Sequence, residues 1–382
     1  MRKISAKWND WRWQLKNRAK TLADFEKAGI VLTEDEVSVL QGLQLRTAVT
    51  PYYLSLISRG HDIYNPLRKR AIPTIAETNT NWGMRDPLHE DTEGKGMQIF
   101  THRYPDRIAA YVTDQCATYC RHCTRIRKSG ETDKPMSQDQ IEFMIEYVAK
   151  TPKVRDVLLT GGDPLTMSTD RLAKIVEPLR KINHVEIIRI GSAAPVTFPM
   201  RINQNLVNMM KEYGVRPLNT HFIHPYEVTP EAVEALDRLV NNGITVYNQT
   251  PLLADVNNCV PVLMKLFQTL AFHGVSPYYL FQADQVQGTA HFACSVDALV
   301  NAYNGLQGVT TGFAVPRAMI DVPGGGGKTP IANITSKVGN ITTLVNFEGK
   351  SFQYEEPNLA PGLNNPQTCN YLTKKCNICR EN

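Results

Sequence analysis

The chain has 382 residues, enough to bury a large core in two or three domains or in one barrel with extensions. Charged residues make up 21% and hydrophobic ones 42%, which is ordinary for a soluble enzyme. The net charge of +5 is small for this size and comes with no long basic run, which argues against nucleic acid as a partner.

At the N-terminus, Met-Arg-Lys-Ile-Ser-Ala-Lys-Trp-Asn-Asp-Trp-Arg-Trp has no apolar leader core, and no stretch reaches membrane-spanning length. A cytoplasmic protein with no membrane partner is expected. Eight cysteines in a reducing compartment read as metal ligands rather than disulfides. Residues 1–100 are rich in helix formers and are expected to be an N-terminal helical region. Trp8 and Trp11, at i, i+3 spacing, should pack a helix onto the body as a core stripe.

From residue 108 short β-branched apolar runs take over, at 108–113, 156–160, 185–190, 216–220, 245–249 and 277–282. After the first interval they begin about thirty residues apart, the length of one βα unit. Helical stretches are expected between them at 137–150, 169–181, 230–241 and 259–272. Gly214, Gly243 and Gly274 each follow a helical stretch, where a left-handed residue is expected. Six successive units predict an α/β parallel barrel or partial barrel over 101–322, with an open doubly wound sheet as the alternative. The strand ends favour the barrel. They carry Cys116, Gly161-Gly162-Asp163, Gly191-Ser192, Thr220-His221, Asn248-Gln249 and Gln282-Ala283-Asp284. In barrels that mouth holds the active site.

The first strand runs into Cys116, Cys120 and Cys123, spaced Cys-x3-Cys-x2-Cys among Arg121, Arg125, Arg127 and Lys128. Three thiolates offered to a [4Fe-4S] cluster leave one iron without a protein ligand, open to a small chelator such as S-adenosylmethionine (SAM). Electron-transfer clusters close all their positions with protein ligands. The spacing is the signature of radical SAM enzymes; three structural thiols, or zinc with a distant fourth ligand, are the plainer alternatives.

Residues 323–382 break the βα rhythm. The tract Asp321-Val-Pro-Gly-Gly-Gly-Gly-Lys328 misses the phosphate-binding P-loop pattern, because Val322 stands where that pattern needs glycine. No strand obviously precedes the tract and no helix follows. Its glycines let backbone approach a flat ligand closely, and Lys328 suits covalent attachment to pyridoxal phosphate (PLP). A flexible loop with an exposed lysine is the alternative. Cys369, Cys376 and Cys379 end the chain one thiolate short of a tetrahedral zinc site, with a redox role as the competing reading. Cys294 is left over as a buried thiol.

Taken together, residues 8–13 (Trp-Asn-Asp-Trp-Arg-Trp), 101–107 (Thr-His-Arg-Tyr-Pro-Asp-Arg), the cysteine motif, 218–222 (Leu-Asn-Thr-His-Phe) and 323–328 look like motifs of one family. The chain resembles the lysine 2,3-aminomutases, radical SAM enzymes that also use PLP, over nearly its full length. The resemblance implies a partial (β/α)6 TIM-like radical SAM barrel at 101–322. It adds an N-terminal helical extension at 1–100, and a PLP-lysine loop with a cysteine-rich zinc and dimerisation tail at 323–382. Cys116, Cys120 and Cys123 are then the cluster ligands, Gly161, Gly162 and Asp163 lie near the SAM amino group, and Lys328 binds PLP covalently. Arg103, Arg107 and Gln249 take the PLP phosphate. Arg125 is implied to pair with the substrate carboxylate, and Asp284 and Asp321 to hold the substrate's side-chain cation.

Cys259, matching a ligand that a neighbouring subunit supplies in the family, would join Cys369, Cys376 and Cys379 on zinc, which implies a homodimer or homotetramer. A reductase, flavodoxin or ferredoxin is the implied electron donor. The implied reaction moves the α-amino group of a basic L-amino acid to its β-carbon, L-lysine to β-lysine, an isomerisation. The residue types suit that substrate. A bidentate arginine orients a carboxylate, and two carboxylates can serve the three donors of one ammonium. Ala193 and Ala254 stand where the family usually has arginine, and Gln282 and Gln285 where less polar residues are common. These departures leave room for a larger cation and make L-arginine the runner-up substrate; a related radical enzyme that modifies a protein-bound lysine is a more remote alternative.

Overall fold

The computed structural model describes residues 7–43, 45–58, 65–93 and 99–357. Its main sheet has nine strands in sequence order. They are β1 (Phe100–Tyr104), β2 (Arg107–Thr113), β3 (Asp156–Gly161), β4 (Ile187–Gly191), β5 (Val215–Thr220), β6 (Val246–Pro251), β7 (Val275–Phe281), β8 (Arg317–Val322) and β9 (Gly327–Pro330). β2 to β8 are parallel, while β1 and β9 add antiparallel edges. Sequential order without reversal is the winding of a barrel, so the doubly wound alternative falls away. β2 and β8 do not pair, which leaves a nearly closed mixed α/β barrel.

Helices pack the outside of this sheet. Thr169–Arg180 shows why: Leu172, Ile175, Val176 and Leu179 fall on one face, and all are buried. Each such side chain contributes about 1.5–3 kcal/mol by leaving water. Ser168 caps the helix, as Ser137 caps Gln138–Ala149 and Thr229 caps Pro230–Val240. Gly214, Gly243 and Gly274 take left-handed φ of 61°, 76° and 71° where chain direction must change. Two helices given no range in the sequence expectation, Gln204–Glu212, which Gly214 was expected to end, and Val296–Leu306, complete the units after β4 and β7.

The region after residue 316 corrects the sequence reading. A seventh parallel strand, β8, does precede the glycine tract, and β9 follows it, so the tract is the turn of a β-hairpin. This pair spans the boundary expected at residue 322. Beyond it, β10 (Ile334–Val338), β11 (Ile341–Val345) and β12 (Ser351–Glu355) form a separate antiparallel sheet. Buried Tyr354 ties it to the barrel by donating to the Ala283 carbonyl at 2.7 Å.

Ahead of the sheet lie short helices, Trp11–Lys16, Leu22–Ala28, Glu34–Gly42, Pro51–Ile57 and Pro66–Ala71. Trp11 is buried beneath the Arg201 guanidinium, but the helix begins only there, on an Asp10 cap, so Trp8 lies in the preceding turn and the helical stripe is shorter than expected. This region wraps the loop that follows β2. Arg18 donates to the Cys116 carbonyl at 2.5 Å, Ala48 accepts from the Tyr119 amide at 3.0 Å, and Arg70 accepts from the Arg121 amide at 2.8 Å. No helix of the described residues is long and apolar enough to cross a membrane.

Candidate active site

One cavity of 780 Å³ runs through the barrel, lined from strand starts such as Arg107, Asp156 and Ile187 to the C-terminal ends. Cys116, Cys120, Cys123, Arg125, Gly161, Gly162, Asp163, Gln249, Asp284, Asp321, Lys328, Arg103 and Arg107 all line it. Residues scattered over more than two hundred positions thus share one volume, which suffices for a cofactor and a small substrate together. At the ends of β5 and β6, period-2 alternation decides which residues take part. Asn219, His221, Tyr247 and Gln249 face the cavity, whereas Thr220 and Asn248 are fully buried outside it, and Asn248 hydrogen-bonds Phe222 at both its amide and its carbonyl.

The three cysteines sit on turns immediately after β2 and form no disulfide. Burial and then the Cys123 sulfur push the Cys116 thiol well above its ordinary range; burial and Cys120 push Cys123 up. Three thiolates in a buried site would repel one another, and the iron of a cluster would neutralise them, so the donor set fits one. The end of β3 packs against this loop through glycine. At Gly162 a Cβ would lie 2.5 Å from the Gln115 carbonyl oxygen, and at Gly161 (φ 116°) 2.4 Å from that of Thr113. The space lets the Gly162 and Asp163 amides donate to Thr113 and Gln115 at 2.6 and 2.7 Å. The Asp163 carboxylate accepts from Ser192 Oγ at 2.6 Å and from the Leu165 and Ala193 amides at 3.0 Å. Burial still pushes it up to about 6. Its visible work is joining β3 to β4.

Lys328 faces Asp321 across the hairpin, with Nζ 2.6 Å from Oδ2 and 5.4 Å from the Phe281 ring centre. Burial would lower this ammonium, but Asp321, then Tyr104 and Asp284, hold it above the ordinary lysine range. Asp284 accepts from the Thr124 hydroxyl; burial and then Asp321 push its carboxyl up to about 7. Two carboxylates therefore compete for one cation. Arg103 lies against the glycine turn, where a Cβ on Gly325 would meet its Nη2 at 2.4 Å, and donates to the Leu88 carbonyl at 3.1 Å. Arg107 pairs with Asp106 at 2.7 Å and stacks 3.9 Å from the Tyr104 ring. A bare glycine turn, a lysine and two arginines fit a flat phosphorylated cofactor such as PLP.

Arg125 is held by a residue the sequence reading passed over. Its Nε lies 3.0 and 3.1 Å from the Glu90 carboxylate oxygens, and its Nη2 2.7 Å from Oε1. Burial would raise Glu90, but Arg125 and then Arg127 hold it below the usual carboxylate range. The acidic run Asp86-Pro-Leu-His-Glu-Asp91 beside the basic residues after Cys123 was the available signal: Arg127 pairs with Asp86 at 2.6 Å, and Lys128 with Asp91.

Of the departures, Ala193 lines the cavity. Gln282 lines it too while donating to the Cys294 carbonyl at 2.6 Å and to Tyr354 Oη at 3.3 Å, whereas Gln285 turns to the C-terminal sheet region and donates to the Glu355 carbonyl at 2.5 Å. Ala254 is buried, its carbonyl accepting from Lys69 at 3.1 Å. Cys259 is buried at the start of helix Val260–Phe272. Cys369, Cys376 and Cys379 lie outside the described residues, and among the described residues no three His, Cys, Asp or Glu side chains converge on a single metal ion, whereas a cluster takes each cysteine sulfur on a different iron.

Residues 110–266 match the radical SAM superfamily, and residues 303–380 match the family described as lysine-2,3-aminomutase. L-lysine 2,3-aminomutase of Fusobacterium nucleatum is 48% identical over 92% of this chain and 83% of its own. That of Clostridium subterminale is 46% identical over 97% and 89%. The chain belongs to the lysine 2,3-aminomutase family. It is a radical SAM 2,3-aminomutase, an isomerase, and the superfamily implies a [4Fe-4S] cluster and SAM. Within reach of the same family, glutamate 2,3-aminomutase of Clostridioides difficile is 40% identical over 91% of this chain and 83% of its own, so family membership alone leaves the substrate side chain open.

Proposed function

We propose that this aminomutase uses PLP and acts on L-lysine, moving its α-amino group to the β-carbon. The observation that carries this reading is the pair Asp284 and Asp321 beside one ammonium, with Lys328 Nζ at 2.6 Å from Asp321 and the Asp284 carboxyl pushed up to about 7 by burial and then by Asp321. A pocket that already holds two carboxylates for one cation repels an acidic side chain and attracts a basic one.

When bound, cluster and SAM supply hydrogen-atom abstraction, and PLP supplies a carrier for the migrating nitrogen. The chain's own residues do the rest. Lys328 would hold PLP through Nζ, its surplus protons passing by way of Asp321 Oδ2, 2.6 Å away, to solvent, which leaves Asp321 ionised. With that cation gone, Asp321 and Asp284 are left to receive the substrate's ammonium. Arg103, against the glycine turn, and Arg107, stacked on Tyr104 in the same cavity, are the cations that would take a phosphate, with Gln249 in β6. Arg125, already oriented by Glu90 and lying 4.8 Å from the Tyr111 ring, presents its remaining donors to the substrate carboxylate. Fixing both ends of the substrate places its β-carbon, and such positioning is worth up to about 7–11 kcal/mol.

L-arginine is the second reading, favoured by Ala193, whose side chain ends at Cβ on the cavity wall. Zinc on Cys259 and the three tail cysteines belongs to the same proposal and rests on the resemblance. Anaerobically reconstituted enzyme given lysine, arginine or glutamate should form β-lysine fastest. Preferential turnover of glutamate would overturn the cation pocket, and preferential turnover of arginine would move the assignment to the second reading.

A further inference from the structure

Arg70 ends the helix Pro66–Ala71 and is among the largest fully buried side chains of the described residues. Its Nη1 donates to Glu227 Oε1 at 2.7 Å and to the His221 carbonyl at 2.9 Å. Glu227 is equally buried and is already occupied, accepting from the Tyr53 hydroxyl at 2.7 Å and the Ile223 amide at 2.6 Å. That leaves Nε and Nη2 of Arg70 buried with no hydrogen-bond partner among the described residues. Burying donors unsatisfied is costly, so a guanidinium held this way needs a compensating neighbour.

That neighbour is the cysteine loop. Arg70 lines the same cavity as Cys116, Cys120 and Cys123, and its carbonyl accepts from the amide of Arg121, the residue after Cys120. Burial would lower the Arg70 guanidinium, and the Cys120 sulfur, ahead of Glu227, is what raises it above its ordinary range. The other nearby arginines are spent elsewhere: Arg121 on Glu77 and the Arg46 carbonyl, Arg125 on Glu90, Arg127 on Asp86.

We infer that Arg70 is a positioning residue for electron entry, its Nε and Nη2 edge acting on Cys120 to raise the reduction potential of the cluster. Reduction transfers one electron from an external donor to the cluster and makes it more negative. A fixed buried cation beside a ligand sulfur favours that reduced form, since hydrogen bonds and charge at the sulfurs set cluster potentials. The inference rests on the cluster reading of Cys116, Cys120 and Cys123.

The test uses the full chain, reconstituted anaerobically, as parent, Arg70→Met, Arg70→Gln and Arg70→Lys. Iron and sulfide content comes first: a parent without four irons per chain sinks the cluster reading itself, whatever Arg70 does. With clusters in place, dithionite titration followed by electron paramagnetic resonance gives each midpoint potential. Arg70→Met and Arg70→Gln should shift to more negative potential, and Arg70→Lys, which keeps the charge, should lie nearer the parent. Should Arg70→Met fail to fold, Arg70→Gln can still reach Glu227 and decides alone. An unchanged midpoint in a neutral variant with full iron, or a lysine variant no nearer the parent than glutamine, overturns the inference.

Discussion

The proposed chemistry of this chain is concentrated in Lys328 on β9 and two carboxylates, Asp321 on β8 and Asp284 in the loop after β7. Replacing Lys328 with alanine should abolish turnover and the visible absorbance of enzyme-bound PLP; an active variant would remove its proposed role. Asp284 ties substrate binding to pH. A carboxyl raised from 3.8 to about 7 by burial and by Asp321 contributes stability at low pH that is lost progressively as pH rises towards that value. Asp284→Asn has no such loss, so the cofactor-free variant should melt above the parent in mildly alkaline buffer and close to it in acid. The same change should raise KM for lysine steeply, because one of two cation partners is gone. Parallel melting curves at both pH values would show that Asp284 carries no buried charge.

At the level of elements, two tight crossings place the site. The end of β3 meets the cysteine loop where Gly162 has no Cβ, and the atoms it would strike are backbone, which cannot swing aside. Gly162→Ala should therefore displace the loop and lower the iron retained after reconstitution, while far-ultraviolet circular dichroism stays near that of the parent. Full iron content in the variant would show that the contact yields. The second crossing is the β8–β9 hairpin, whose glycine turn lets Arg103 approach and sets Asp321 opposite Lys328. The sequence expectation of a loop without a preceding strand missed this, since six residues ending in a proline-glycine run carry little periodic signal.

On the scale of the molecule, the N-terminal helices and the barrel are joined by buried ion pairs around the cysteine loop. Arg121, on that loop, is bound by Glu77 from before the sheet, and both are buried. Removing one partner strands a charge, at a cost of roughly 3–5 kcal/mol, whereas exposed pairs such as Lys150 with Glu146 contribute far less. Glu77→Ala should thus lower the denaturation midpoint by several times as much as Glu146→Ala. Equal, small losses from both would mean that the Arg121 pair does not hold the cysteine loop to the N-terminal region.

The linear chain determined the parallel barrel, because βα spacing and apolar runs are local properties. Its cysteine spacing and strand-end residues also marked the cavity wall from Cys116 to Asp284. Only the tertiary structure decided what each charged group meets. Glu90 on Arg125, Asp321 on Lys328 and the Nε and Nη2 edge of Arg70 depend on contacts between residues 7 to 157 positions apart. Burial, which sets the protonation of Asp284 and the strength of every ion pair here, exists only once those distant segments have closed over one another.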